Sequence, residues 1–489
     1  MDKAPVYFLG IDIGTQGARA ILVDEKGNIP GGAEEGFPLN AASREEQSPE
    51  GWWDACFRAL QRLFQEVKGS IDLSAVKALA VTSTSGTVIP LDGMHTPLHK
   101  ALMYSDTRSG KEAETCKRIA LRFHPEGFTS FNSSSGLSKM LWFQEAFPEK
   151  AARLAAWAHA ADYITGRISN TWGVSDFTNA LKSGYDVKKE EWPSYIYEQL
   201  PLKKEWLPRV VPSGIPVGLI NPSLARSLGL SRNLLVVAGM TDGCASQIAS
   251  GAMGLGAWNT TIGTTLVIKG VTRQELKDPE GRFYSHRHPE GYWMPGGASN
   301  TGADWVREYS ERQDLQSLDE QAGNLIPGGH IAYPLLQQGE RFPFIAPQAR
   351  GFGPEGLSLP AGFLARMEGV AYVERYAFDL AEALSGEKVN AVYSAGGGSN
   401  SATWLSVRSN VLNKPVYLMK EVSGAAGAAI LAASKTHFTS LSQAARSMTR
   451  VRKTVRPVPA LAQSYEKFYR RFLEVMQEKG YIHEEKKHA

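Results

Sequence analysis

Little in this chain of 489 residues points to a disulfide framework, a membrane span or a polyanionic partner. It has three cysteines, Cys56, Cys116 and Cys244. That is an odd number with no CxxC spacing, which argues against a disulfide scaffold or a zinc site and for a reducing compartment. Lys and Arg total 53 against 50 Asp and Glu, a formal charge of +3. No strong global field draws the chain to nucleic acid or to a membrane surface. The small-residue run 424–433 is far too short to span a bilayer. The apolar run near the N-terminus ends at Asp12, too short and too acidic for a signal peptide. The Walker pattern GxxxxGK[ST] is missing, as are the HRD and DFG motifs of protein kinases. The expectation is a soluble cytoplasmic protein whose partners are small molecules, with a homodimer left open.

What is present is an ordinary globular composition, 43% hydrophobic and 21% charged. The length suggests two to four domains. Residues 6–13 (VYFLGIDI) read as a buried strand, broken by Gly14-Thr15-Gln16-Gly17, and 18–24 read as its hairpin partner. A helix follows, with Ser48 as its cap, Pro49 at its first position and Gly69 at its end. Trp53, Phe57, Leu60 and Phe64 form its expected apolar face. Residues 75–81 read as another strand, followed by the hydroxyl-rich run Thr82–Thr87. Strands alternating with helices give an α/β fold class.

Past the middle, the pattern returns. Residues 234–238 are strand-like and run into Gly239-Met240-Thr241-Asp242-Gly243. Ile262-Gly263-Thr264 repeats Ile13-Gly14-Thr15 between strand-like runs. The repeat suggests an internal duplication, with domains at 1–239 and 240–489. A third glycine loop, 395–400 (AGGGSN), lies between a strand at 390–394 and a helix at 401–412. Glycine loops let backbone N–H groups approach phosphate oxygens, and Thr15 and Thr264 would add hydroxyl donors. Asp12 and Asp242 each sit beside such a loop. A carboxylate there is costly unless paired, hydrated or on a metal. Placed at duplicated positions, the two fit a shared task in which one is near Mg²⁺ and the other accepts a proton.

Taken in order, several stretches resemble the FGGY carbohydrate kinases of the actin-like ATPase superfamily. They are GIDIGTQGARAILVDEKG (10–27), EQSPEGWWDA (46–55), YSDTR (104–108), AGMTDGCASQIASGA (238–252), TTIGTT (260–265), AGGGSNSATW (395–404) and SGAAGAAILA (423–432). The resemblance implies two ribonuclease-H-like domains with an interdomain catalytic cleft, and a kinase using ATP and Mg²⁺. It implies that Asp242 is the catalytic base and that Asp12 lies near Mg²⁺ and the reacting hydroxyl. Gly14, Thr15 and Gln16, with Gly263, Thr264 and Thr265, would hold phosphates. Gly397, Gly398, Asn400 and Trp404 would lie around the adenosine. Many xylulokinases carry Gln-Met-His where this chain has Ser83-Thr84-Ser85-Gly86-Thr87. That run is similar to a stretch of D-ribulose kinases in the same family. The favoured substrate is therefore D-ribulose, phosphorylated at O5, with D-xylulose as the alternative. Ser85 is the expected sugar contact. Asp106 and Arg108 are an expected ion pair.

Overall fold

The computed structural model describes residues 4–483. The chain opens with β1 (Tyr7–Ile13), β2 (Gly17–Asp24) and β3 (Gly31–Gly36), then helix α1 (Pro49–Glu66) and strand β4 (Val76–Ser83). Farther on come helix α2 (Phe177–Leu181), strands β5 (Pro216–Leu219), β6 (Leu235–Val237) and β7 (Met240–Thr241), and helix α3 (Asp242–Ala249). One mixed sheet has the order β5-β6-β4-β1-β2-β3, with β7 continuing beside β4. β1 runs parallel to β4, and β4 runs parallel to both β6 and β7. Central parallel strands are covered on both faces and read as unbroken apolar runs. This is why 6–13 was legible as a strand: every residue of β1 but Asp12 is buried.

α1 begins and caps as expected, with Ser48 Oγ accepting from Gly51 N. Its buried face is rotated from the expected one. Trp52, Cys56, Leu60 and Leu63 are buried, whereas Trp53 and Phe57 only border the core. The apolar stripe is wider than a single row of side chains, and the indole of Trp52 is drawn inward by donating to Gln47 Oε1 at 2.8 Å.

The second unit begins with β8 (Ala257–Ile262) and β9 (Leu266–Gly270), then β10 (Tyr284–Arg287) and β11 (Trp293–Ser299). A long buried helix, α4 (Leu359–Ser385), precedes β12 (Ala391–Ala395), helix α5 (Ala402–Leu412) and β13 (Val416–Met419). Helix α6 (Gly424–Ser434) then belongs to the first unit, after which β14 (Val451–Val455) and helix α7 (Pro459–Glu478) return to the second. The second sheet has the order β10-β11-β9-β8-β12-β13-β14. Its run β11-β9-β8-β12-β13-β14 repeats the order and strand directions of β3-β2-β1-β4-β6-β5. The duplication is therefore visible in both sheets.

Two expectations are corrected here. The first compact unit comprises 1–249, 289–291 and 421–449, so the division expected at 239/240 falls ten residues later and is not a single cut. α3 stays with the first unit because α6 packs on it: a Cβ at Gly427 would collide with the carbonyl oxygen of Ala245. Secondly, Asp242 is not the duplicate of Asp12. Matching Ile262-Gly263-Thr264 to Ile13-Gly14-Thr15 makes Thr261 the counterpart of Asp12. Asp242 instead follows β7, in the same sheet as β1.

The close packing of α6 is testable. Gly427→Ala should cost about 3 kcal/mol, because backbone, and not a flexible side chain, occupies the space. Gly93→Ala, where a Cβ meets nothing within 4 Å, is the control. Thermal unfolding should show a drop of several degrees for the first substitution and little change for the second.

Candidate active site

In parallel α/β sheets, ligands bind at the carboxyl ends of the strands. In the first unit that edge carries three adjacent strand ends. Asp12 is in register with Thr82, and Met240 is in register with the same Thr82. Ser83 pairs with Ile13 on one side and with Thr241 on the other. Asp12, Ser83, Ser85 and Asp242 are thus brought to one strand-end edge by the sheet register alone.

Asp12 sits where the chain leaves almost no room. A Cβ on Gly424 would lie 2.7 Å from Asp12 Oδ2, so only glycine at the first residue of α6 leaves space for the carboxylate there. The carboxylate therefore lies at the amino end of an 11-residue helix, where its charge is favoured. Its Oδ1 is buried without a hydrogen-bond partner. Burial pushes the Asp12 carboxyl up to about 7, with Asp242 adding to the rise and Arg19 opposing it. Arg19 is the cross-strand neighbour of Asp12 on β2 and is itself paired with Glu34 at 2.7 Å.

The turn between β1 and β2 is tight: Gly14 N donates to Gly17 O at 3.0 Å. Gln47 Nε2 donates to Thr15 O at 3.0 Å, so the Trp52–Gln47 pair fixes the tip. An open depression of about 470 Å³ is lined by Asp12, Gly14, Thr15, Gln16, Arg19 and Tyr104, among others. The glycine at 14 is not explained by its own surroundings. Its φ is not positive, and a Cβ there would meet nothing nearer than 3.6 Å. Gly263, in the matching turn between β8 and β9, has no neighbour within 4 Å of a Cβ and no positive φ either. Neither Gly14 nor Gly263 is needed for the fold, unlike Gly17, where a Cβ would lie 2.6 Å from Glu35 O; close approach of a ligand to the backbone is the physical reason for the two.

The segment after β4 divides its hydroxyls by task. Thr84 and Thr87 bond each other at 2.9 Å, and Thr87 Oγ1 accepts from Tyr104 N at 3.1 Å. Ser83 Oγ and Ser85 Oγ are buried without partners. Buried polar atoms are rarely left so, and the orphans mark a place for a polar ligand. The expected pair of Asp106 and Arg108 is present at 2.8 Å. Arg108 also reaches Glu46 and lies 4.2 Å over the Trp142 ring, a structural brace.

The second unit gathers the other expected residues among themselves. Ala303 N donates to Gly263 O at 2.7 Å, which holds the turn carrying Thr264 and Thr265. Gly396 (φ +83) and Gly398 pack against Ile262, so the loop holding Gly397, Gly398 and Asn400 lies beside that turn. Ser394 and Ser399 join their hydroxyls at 2.7 Å above a fully buried pair of Arg408 and Glu374 at 2.7 Å. Trp404 corrects the expectation of a nucleotide contact. It is 2% exposed, its Nε1 donates to Met367 O, and its ring packs on Trp305. Its side chain supports the loop from the core and offers no face to a ligand.

Sequence reasoning named Ser83 only within the run 83–87 and missed Arg19, Tyr104 and Gly424 at this edge. Arg19 had a signal, its place opposite Asp12 in a short hairpin; Gly424 had none, because the contact joins positions 412 residues apart in sequence.

Residues 7–249 match the N-terminal domain, and residues 258–436 the C-terminal domain, of the FGGY family of carbohydrate kinases. The chain belongs to that family. It is 27% identical to the xylulose kinase of Bacillus subtilis, over 95% of each chain. To the gluconokinase of the same organism it is 26% identical, over 87% of this chain and 86% of the relative. The solved xylulose kinase of Rhodospirillum rubrum has a TM-score of 0.85 at 22% identity, covering 96% of this chain and 98% of that one. Plasmodium falciparum glycerol kinase with ADP has a TM-score of 0.82 at 16% identity, covering 97% and 99%. The fold is the two-domain fold of the FGGY sugar kinases, and the chain is a carbohydrate kinase transferring phosphate from ATP to a sugar. Among the described residues no helix is long and apolar enough to cross a membrane.

The raised carboxyl of Asp12 has a signed consequence. Its folded value of about 7 lies above the unfolded one, so its contribution to stability is full below about pH 4 and is lost as pH rises through 7. Without nucleotide, Asp12→Asn should therefore gain stability relative to the parent between pH 5 and 8, on the order of 2 kcal/mol. Denaturant unfolding at both pH values measures it; a difference independent of pH would contradict the assignment.

Proposed function

We propose that the protein is an ATP-dependent kinase of a ketopentose, with Asp242 as the base and the sugar seated on Ser83 and Ser85. The observation that carries this reading is the meeting, at one strand-end edge, of two carboxylates with two buried, unpartnered serine hydroxyls. A sugar supplies the hydroxyls those serines lack.

The terminal sugar hydroxyl is a poor nucleophile until its proton has an acceptor. Asp242 takes that proton as the oxygen bonds to the γ-phosphorus and the bond to the β,γ-bridging oxygen breaks, releasing ADP. A positioned base of this kind contributes roughly 10²–10⁴ in rate. Backbone donors of Thr15 and Gln16 steady phosphate oxygens through a loose transition state. Asp12 fits a contact to Mg²⁺: its Oδ1 has no partner, and a cation would relieve the charge that burial disfavours. When bound, Mg²⁺ would neutralise phosphate charge, held mainly by water and nucleotide.

Between the two ketopentoses, D-xylulose has the support of relatives that bear the name xylulose kinase across almost the whole chain. D-xylulose is therefore the first reading, ahead of the D-ribulose expected from the sequence. D-ribulose stays as the second because the run 83–87 places serines where many xylulokinases carry Gln-Met-His. The cytoplasmic location expected from the three unpaired cysteines fits an enzyme that uses ATP.

Asp242→Asn should keep nucleotide binding and lose sugar phosphorylation by several orders of magnitude; near-normal turnover would remove Asp242 from the role. Ser85→Ala should raise the sugar KM about tenfold, the equivalent of one hydrogen bond, with the ATP KM unchanged. Rates with D-xylulose, D-ribulose and D-gluconate rank the substrates, and a tenfold lead in kcat/KM for any one decides.

A further inference from the structure

The residues just before Asp242 are held more firmly than a strand end requires. Gly239 approaches Val81 so closely that a Cβ would collide with its carbonyl oxygen. Met240 O accepts from Thr82 Oγ1 at 2.9 Å. Thr241 N donates to Thr178 Oγ1 at 2.8 Å. Thr178 lies in α2, 63 residues away in sequence, and both threonines are buried.

The polarity of that last bond is forced. Thr178 Oγ1 has one proton and gives it to Asp176 Oδ1 at 2.7 Å, which leaves the oxygen as acceptor for Thr241. Asp176 is 1% exposed and caps α2. It accepts from Thr178 N at 2.8 Å, from Asn179 N at 3.1 Å, from Asn179 Nδ2 at 2.6 Å and from Ser213 Oγ at 3.4 Å. A saturated, buried carboxylate is thus anchored to a helix start, and through one hydroxyl it fixes the peptide that carries Asp242. Neither Asp176 nor Thr178 lies among the strand-end groups available to a sugar.

We propose that Thr178, anchored by Asp176, is a positioning residue that sets the catalytic geometry of Asp242 through the Thr241 peptide. The inference rests on the reading of Asp242 as base. Its force comes from the tolerance of such chemistry: a misplacement of about 1 Å can cost about 10²-fold in rate. The sugar's other contacts, Ser83 at the end of β4 and Ser85 just after it, make no side-chain hydrogen bond to Thr178.

The test uses the full chain, with D-xylulose and D-ribulose as acceptors. Thr178→Val removes the hydroxyl while keeping the shape. The expected result is a kcat lowered ten- to a hundredfold, with calorimetric binding of sugar and of ATP each within threefold of the parent. Thr178→Ser, which restores the hydroxyl, should recover at least half of kcat. If Thr178→Val does not fold, Asp176→Asn, which keeps the threonine but weakens its anchor, should show the same split between kcat and binding. A kcat within threefold of the parent in the folded variant would overturn the inference, as would a parallel loss of sugar and ATP binding. A parent protein that phosphorylates no sugar would instead overturn the proposed function.

Discussion

The site depends on how closely helix α6 lies against the first sheet. Three glycines make that approach: Gly10 in β1 faces Ala425, Gly427 in α6 faces Ala245, and Gly424 faces the Asp12 carboxylate. A methyl group at the first two would strike backbone, and at the third it would strike the acid itself. One small-residue helix thereby touches both the strand that bears Asp12 and the helix that begins at Asp242. It also presents its amino end to a buried charge, which is how a carboxylate is kept in a place that burial disfavours.

From this constraint the chemistry divides by position. Acids sit at the ends of β1 and β7, and serine hydroxyls follow the end of β4 between them. The glycine turn after β1 opens onto the same depression as Asp12. In the second unit, a matching turn and the 396–400 loop are braced from below by Arg408, Glu374 and Trp404. Ser83, Ser85 and Asp12 keep unpaired oxygens at the strand-end edge, while the hydroxyls and acids that brace it are bonded: Thr84 with Thr87, Asp176 with its donors, Glu374 with Arg408 and Thr260.

Much of the fold was legible from local pattern. β1, β2, β4, α1 and the strand–loop–helix at 391–412 announce themselves by apolar runs, caps and glycine breaks, because those signals are short-range. The family was legible through motif order. What was not legible involved distance along the chain. The return of 421–449 to the first unit, the place of Asp242 in the sheet of Asp12, and the need for glycine at 424 all depend on contacts between remote segments. The supposed equivalence of Asp12 and Asp242 failed for the same reason: similar local settings, a strand end beside glycine, arise at neighbouring strands of one sheet as readily as in two repeats. The family resemblance set Trp404 around the adenosine, yet helix α5 turns its ring into the core.

The central claim is that the sugar is held at the carboxyl ends of β1, β4 and β7 by hydroxyls that the fold leaves unpaired. Calorimetry of D-xylulose and D-ribulose in the absence of nucleotide tests it most directly, on the parent protein and on a Ser83→Ala, Ser85→Ala double variant. The account predicts measurable binding of one ketose by the parent and a loss of about a hundredfold in the double variant, two hydrogen bonds' worth. Unchanged affinity in a folded double variant would contradict it.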